Sequence, residues 1–360
     1  MRRGLMSWSK KELPATVLAS RVKLLREAMQ AADLDAFIAY TNFTRPATVA
    51  HFTVFTPYWT DGLLVVPRDG PTTLAVALSN RMKNWIESTT QVDSILCGPR
   101  PGQMAAGALK AVAPKRIGIV ELDQLPAGIA EDLKEGLGRV SLIDVTVLAQ
   151  ALREKADKAE IGLAQHAAAL ASDALDAGLS AGEEEAGALL GEIERQARLG
   201  GAEEIYLAAA PDLAEDWRMS RITSATPLGT RFAVRATLAY KGAWIRLART
   251  IDRSASGWES AGAAATQFHQ ALAALRAGHE IGESLAGSLK GLQDWTAESS
   301  TGNQPLKVLA AAKWRPYVEP EAQALLVVTA RLDLKQGPWI GAAPMLVSEG
   351  KAPGKVLPAR

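Results

Sequence analysis

Cysteine and histidine are scarce in this chain of 360 residues. The single cysteine, Cys97, excludes a disulfide framework and a cysteine-based zinc cluster. Only four histidines are present, which leaves few imidazoles for catalysis or metal binding. One cysteine fits a reducing compartment, and we therefore expect a cytoplasmic protein.

The sequence also lacks an excess of charge and any long apolar run. Lysine and arginine number 40 against 39 aspartates and glutamates, so we expect no nucleic-acid partner. No segment reaches the roughly 18 apolar residues that a membrane helix requires, so we expect no membrane partner. The opening residues have no apolar core of the kind that a signal peptide carries. No glycine-rich phosphate-binding motif is present.

Length and pattern predict two domains. Hydrophobic residues make up 48% of the chain, which is ample for two cores. Residues 1–150 alternate short strands with helices and predict an α/β domain with a mixed sheet. Residues 151–360 predict two α-α-β-β units. Within these halves the sequence predicts a strand at His51–Phe55 and a helix at Ile281–Ala297.

The stretch from Phe232 to Asp252 predicts a β-hairpin. Lys241 and Gly242 form a two-residue loop, which places Tyr240 opposite Ala243. Side chains alternate along a strand, so residues 235, 237 and 239 share a face with 244, 246 and 248. Arg235 and Arg246 therefore project to one side, where an unpaired guanidinium is costly to bury.

This hairpin resembles the metal-binding hairpin of the creatinase/prolidase/aminopeptidase P family, which has the pita-bread fold. The family pattern is an aspartate, ten residues, a second aspartate, two residues and Arg-Thr. The chain keeps that spacing with Arg235, Arg246 and Arg249-Thr250, but arginine replaces both aspartates. Leu34–Ile38 and the helix from Leu152 also resemble family segments. The resemblance implies an N-terminal creatinase/prolidase-like domain followed by a pita-bread domain, and it implies a homodimer.

The resemblance implies five metal ligands, namely two aspartates, a histidine and two glutamates, that hold divalent metals. Carried over by motif, their positions hold no metal-ligand chemistry. They fall on these residues: Arg235, Arg246, Asn303, Thr329 or Ala330, and Ala342. We therefore expect no metal and no other cofactor.

A metal-free route used by one member of that family, creatinase, needs a histidine upstream of the hairpin. The corresponding loop, residues 212–220, contains none. Of the four histidines, only His51 stays a candidate for a site, because His166 and His269 lie on alanine-rich helices and His279 follows Gly278 at a helix end.

Arginine is frequent in the hairpin and in the loop before it, and this permits two interpretations. Guanidinium groups bind carboxylates or phosphates in a bidentate manner, which indicates a pocket for an anionic or peptide-like ligand. Alternatively, Arg235 and Arg246 pair with nearby acids and fill the site. Candidate partners for this pairing are Asp216, Glu215 and Asp333. Three further residues complete the candidate ligand-binding set: Trp217, Arg218 and Arg249.

Three hypotheses follow for the function. The first is a metal-free, divergent family member without peptidase activity that binds a small anionic or peptide-like ligand or a partner subunit. The second is a metal-independent hydrolase of an amide or peptide-like C–N bond. The third is a subunit that completes a metal-bearing paralogue.

Overall fold

The computed structural model describes residues 8–57, 59–254, 257–302, 304–315, 317–350 and 352–358. They divide into two compact units, the first ending at Glu154 and the second beginning at Lys155. No helix in these ranges is long and apolar enough to cross a membrane.

The first unit is built on a mixed sheet of six strands within the described residues. The strand order is β4-β3-β2-β1-β5-β6, with antiparallel pairs among β1, β2 and β3 and parallel pairs elsewhere. The sheet is apolar on both faces, which lie in two separate clusters of buried residues. The helices are α1 (Ala15–Ala31), α2 (Ala47–Thr53), α3 (Lys83–Thr89), α4 (Pro101–Leu109), α5 (Ala127–Leu137) and α6 (Thr146–Ala151). The strands are β1 (Ala36–Thr41), β2 (Gly62–Pro67), β3 (Thr73–Val76), β4 (Ser94–Cys97), β5 (Arg116–Val120) and β6 (Ser141–Asp144).

The second unit is an antiparallel sheet covered by helices on one face. Its strand order is β11-β10-β12-β13-β9-β8-β7, and β14 pairs with β13. The helices are α7 (Lys158–Ser180), α8 (Ala186–Leu199), α9 (Gly257–Ala274) and α10 (Ile281–Ser288). The strands are β7 (Glu204–Ala210), β8 (Arg231–Tyr240), β9 (Ala243–Asp252), β10 (Leu292–Ser299), β11 (Lys307–Ala311), β12 (Leu325–Leu334), β13 (Gly337–Leu346) and β14 (Lys355–Val356).

The strand order of this sheet is pseudo-symmetric about its centre, between β13 and β9. Strands β7, β8 and β9 of one half correspond to β10, β12 and β13 of the other, and each half follows a pair of helices. The mixed α/β class with two sheets is thus as the sequence predicts, and β11 is an addition at one edge. Helix α7 packs on β8 and β9, and α9 packs on β9 and β13.

Two predicted elements are wrong. His51 does not begin a strand but lies in α2, because the helix starts after Pro46, whose fixed φ suits a helix start. The predicted helix from Ile281 ends at Ser288, and β10 follows. Gly291 causes the change of direction: its φ is +74°, and a Cβ there would lie 2.2 Å from the carbonyl oxygen of Asp333.

The predicted hairpin is confirmed in register. Tyr240 pairs with Ala243, Thr237 with Arg246 and Arg235 with Ala248. Both loop residues have positive φ, +47° at Lys241 and +81° at Gly242, as a type I′ turn requires.

The seam between the two halves of the sheet has a single paired position, Ala248 with Ala342. Thr250 reinforces it with its side chain: its hydroxyl donates to the carbonyl oxygen of Ile340 and accepts from the Ile340 N–H, both at 2.8 Å. The Thr250 hydroxyl thus satisfies the backbone groups of Ile340, as a paired strand does elsewhere in the sheet.

We predict that Thr250→Val loosens the seam. Valine has nearly the same shape but leaves both backbone groups of Ile340 unpaired, which costs about 1–3 kcal/mol in the free energy of unfolding. Urea denaturation measures the loss. The control is Thr266→Val on exposed α9 surface, expected within about 0.5 kcal/mol of wild type. Equal effects of the two substitutions would contradict the role of Thr250.

A partly buried glutamate, Glu203, lies against the hairpin turn. The Gly242 N–H donates to its Oε2 at 3.3 Å. Desolvation raises the pKa of Glu203 to about 7 and the Glu204 charge adds to this, whereas the turn N–H groups and the Lys241 charge oppose it.

We predict that Glu203→Gln stabilises the protein at pH 8. Because the folded state favours the protonated acid, wild-type stability falls as the pH rises from the usual pKa of 4.5 to about 7. The neutral glutamine escapes that loss, so the variant is more stable by about 1–3 kcal/mol above pH 7 and equal to wild type near pH 4.5. Denaturation midpoints across this pH range measure the difference. Exposed Glu215→Gln is the control and should show no such trend; a gain that is independent of pH would refute the assignment to Glu203.

Candidate functional site

The strand register brings four sequence-predicted positions to one face of the second sheet. Thr329 pairs with Ala342, Ala342 with Ala248, and Ala248 with Arg235. Directly paired residues of an antiparallel sheet point to the same side. We call this side the central face; it carries Arg235, Arg246, Thr329 and Ala342.

The alternative between Thr329 and Ala330 is resolved by the same register. Ala330 points to the other side, where it is fully buried in the apolar core beneath the helices. Thr329 is on the central face, and its hydroxyl oxygen is buried without a hydrogen-bond partner in the described part of the chain.

Arg246 is paired on the central face with Glu298 of β10. Its Nη1 donates to Glu298 Oε2, and its Nε donates to Thr237 Oγ1 at 2.9 Å. The side chains are 18% and 8% exposed. The predicted pairing of Arg246 with Asp216, Glu215 or Asp333 is therefore wrong. Glu298 is not among the expected partners, because the helix predicted from Ile281 extends to Ala297, immediately before it.

Arg235 is held differently, in the middle of the central face. Its Nε is buried and has no hydrogen-bond partner among the residues described. Desolvation lowers the pKa of Arg235, and repulsion from Arg246 and Arg331 adds to this effect, while Glu298 opposes it. The face thus brings three guanidinium groups near one carboxylate, and that carboxylate already binds Arg246.

Trp217 lies beside this cluster. With Met219 it packs against Ala210, Ala233 and Ile340, whose strand positions put them on the central face. The loop before β8 therefore covers one end of this face with an aromatic side chain.

The other three predicted ligand-binding residues are not part of the central face as described. Arg218 is 86% exposed and its Nε donates to Asp216 at 2.8 Å. Arg249 points to the helix side, where it donates to Asp176 and, at 2.7 Å, to Ser172 Oγ of α7. The expectation that Arg249 belongs to the same ligand-binding set as Arg246 is wrong, because strand alternation turns its side chain to the other face of the sheet. Asn303 lies outside the described residues.

The histidines do not supply a base on the central face. His51 is buried in α2 of the first unit, 3% exposed, so its prediction at a strand start is wrong. His166 stacks on Tyr240 with ring centres 4.2 Å apart. His279 Nδ1 lies 3.2 Å from the carbonyl oxygen of Ala277, and His269 lies on α9.

The donor set of the central face does not fit a divalent metal. Guanidinium nitrogens carry no free lone pair for a metal, and alanine has no donor atom. Glu298 is a carboxylate close to this face, and it forms an ion pair with Arg246. Within the described residues, no group of three or more histidine, cysteine, aspartate or glutamate side chains is arranged to hold a metal ion.

Comparisons with known proteins agree with this architecture. Residues 21–155 match the model of the Creatinase/Prolidase N-terminal domain. The curated proteins contain no match to this chain.

Among solved structures, the Xaa-Pro dipeptidase from Bacillus anthracis is 17% identical, with a TM-score of 0.71, and the match covers 95% of this chain and 98% of that one. The X-Pro aminopeptidase from Thermotoga maritima is 13% identical, with a TM-score of 0.74 and coverage of 93% and 98%. The prolidase from Pyrococcus horikoshii is 14% identical, with a TM-score of 0.70 and coverage of 94% and 97%.

The chain is thus a two-unit α/β protein with the fold of prolidases and X-Pro peptidases. Its first unit carries the Creatinase/Prolidase N-terminal domain, and its second unit has the pita-bread architecture. The resemblance found in the sequence, to the creatinase/prolidase/aminopeptidase P family, is confirmed.

Proposed function

We propose that this chain is a metal-free, divergent member of the family that binds a small anionic or peptide-like ligand on the central face and lacks peptidase activity. The observation that carries the proposal is Arg235, a partly buried guanidinium whose Nε has no partner among the described residues. The relatives are named for X-Pro peptidases, and their activity is not carried over because the ligand positions differ in chemistry.

Charge balance supports an anion as the ligand. Burying a cation without a counter-charge is costly, and the central face has an excess of positive charge from Arg235 and Arg331. Neither residue forms an ion pair with any side chain in the described ranges. A carboxylate or phosphate would offset both charges and accept the bidentate hydrogen bonds that guanidinium groups favour.

The shape of the face supports a small ligand that extends across strands. Ala248 and Ala342 lie between Arg235 and Thr329 and place nothing beyond a methyl group there. Three strand spacings of about 4.8 Å separate Arg235 from Thr329. A ligand with an anionic end at Arg235 and a polar group near the free hydroxyl of Thr329 fits this row, as a short peptide-like molecule would.

Metal content tests the metal-free part of the proposal. Protein purified without chelators, incubated with Mn²⁺ or Zn²⁺ and then desalted is expected to retain well under one metal ion per chain by plasma mass spectrometry. The same sample is expected to release no proline from Ala-Pro. Retention of one to two metal ions per chain would contradict the proposal.

Anion binding tests the ligand part. In calorimetric titrations with citrate and with phosphate, we expect wild type to bind at least one of them and Arg235→Met to bind it at least tenfold more weakly. Affinity should fall as salt is raised. Because the buried Nε of Arg235 has no hydrogen-bond partner among the described residues, replacement by methionine should leave the anion-free protein as stable as wild type or more so, which separates lost binding from lost folding.

The matched control is Arg221→Met on the exposed loop before β8, which should bind within twofold of wild type. Absence of binding for both anions, or equal weakening in the two variants, would contradict an anion site at Arg235. The expected homodimer and the alternative partnership with a metal-bearing paralogue stay predictions, and light scattering on the same samples reports the mass of the particle.

A further inference from the structure

A cavity of about 580 Å³ lies on the opposite side of the seam, between the sheet and helices α7 and α9. Its walls come from β9, β13, α9 and the segment 356–358, with Ser172 of α7 at one side. The volume falls within the range of about 300–1,000 Å³ that is typical of small-molecule sites. We call it the helix-side cavity.

Small side chains leave this space open. Gly262 and Ala265 of α9 line it, and the backbone of Ala248 and Ala342 forms its floor at the seam, because their methyl groups point to the central face. A Cβ added at Gly262 would meet no atom within 4 Å.

The cavity is apolar along its length and basic at one end. Leu247, Phe268 and Trp339 form apolar walls. Arg249 and His269 also line it, and desolvation followed by the Arg249 charge lowers the pKa of His269, so the two basic groups are close together. Arg249 already donates to Asp176 through Nη1 and to Ser172 Oγ through Nη2, so a ligand carboxylate would accept from the other N–H groups of this guanidinium.

We propose that the helix-side cavity is a second ligand site, separate from the central face, for a small apolar molecule with one carboxylate end. The apolar part lies along Phe268 and Trp339, and the carboxylate accepts hydrogen bonds from Arg249 and His269. At roughly 30 Å³ per non-hydrogen atom, the cavity holds a molecule of about fifteen to twenty such atoms.

Decanoate is the probe that tests this site, because it combines an apolar chain with a carboxylate. In calorimetric titrations, Gly262→Leu should weaken decanoate binding at least tenfold, since Gly262 lines the cavity and no atom within 4 Å obstructs an added Cβ. The helix should tolerate this change, because leucine is a better helix former than glycine. Gly287→Leu on α10, where an added Cβ also meets no atom within 4 Å, is the matched control and should bind within twofold of wild type.

Two further titrations fix the location and the chemistry. Arg235→Met should bind decanoate as wild type does, which separates this site from the central face. Wild type should prefer decanoate over 1-decanol by at least tenfold. The proposal is overturned if decanoate does not bind, if Gly262→Leu binds it as wild type does, if Arg235→Met abolishes binding, or if 1-decanol binds equally well. Ala265→Phe repeats the test from the neighbouring turn of α9.

Discussion

The narrow seam between β9 and β13 is the constraint on which the second unit depends. One pair of alanines, Ala248 and Ala342, carries the strand pairing, and Thr250 binds the backbone of Ile340 beside it. Both alanine methyl groups point to the central face and fill little of it, and on the helix side the pairing point presents backbone alone. The central face lies on one side and the helix-side cavity on the other.

Charge decides what the central face can do. The family spacing of the hairpin is kept, but the positions that the resemblance assigns to two acidic ligands hold Arg235 and Arg246. Glu298 neutralises Arg246 and leaves the rest of the face cationic. Arginine cannot be discharged at ordinary pH, and for this reason the ligand that we propose for the central face is an anion. The chain thus combines the fold of these relatives with a cationic central face.

The hairpin was predictable in detail because its register follows from local chemistry. A two-residue Lys-Gly loop fixes the pairing, and strand alternation then puts Arg235 and Arg246 on one face. The same alternation turns Arg249 to the helices, and grouping it with Arg246 by closeness in sequence gave the wrong face. Glu298 could not be predicted, since it lies 52 residues from Arg246 along the chain and its strand begins only where Gly291 ends a helical pattern.

A crystal structure with selenate measures the central claim most directly. Selenate is a tetrahedral dianion whose selenium scatters anomalously, so its position is read without interpretation of weak density. We predict a selenium peak on the central face within hydrogen-bonding distance of the Arg235 guanidinium, with Thr329 and Arg331 nearby. A face without selenium, or one in which a divalent metal ion occupies the row between Arg235 and Thr329, would contradict the account.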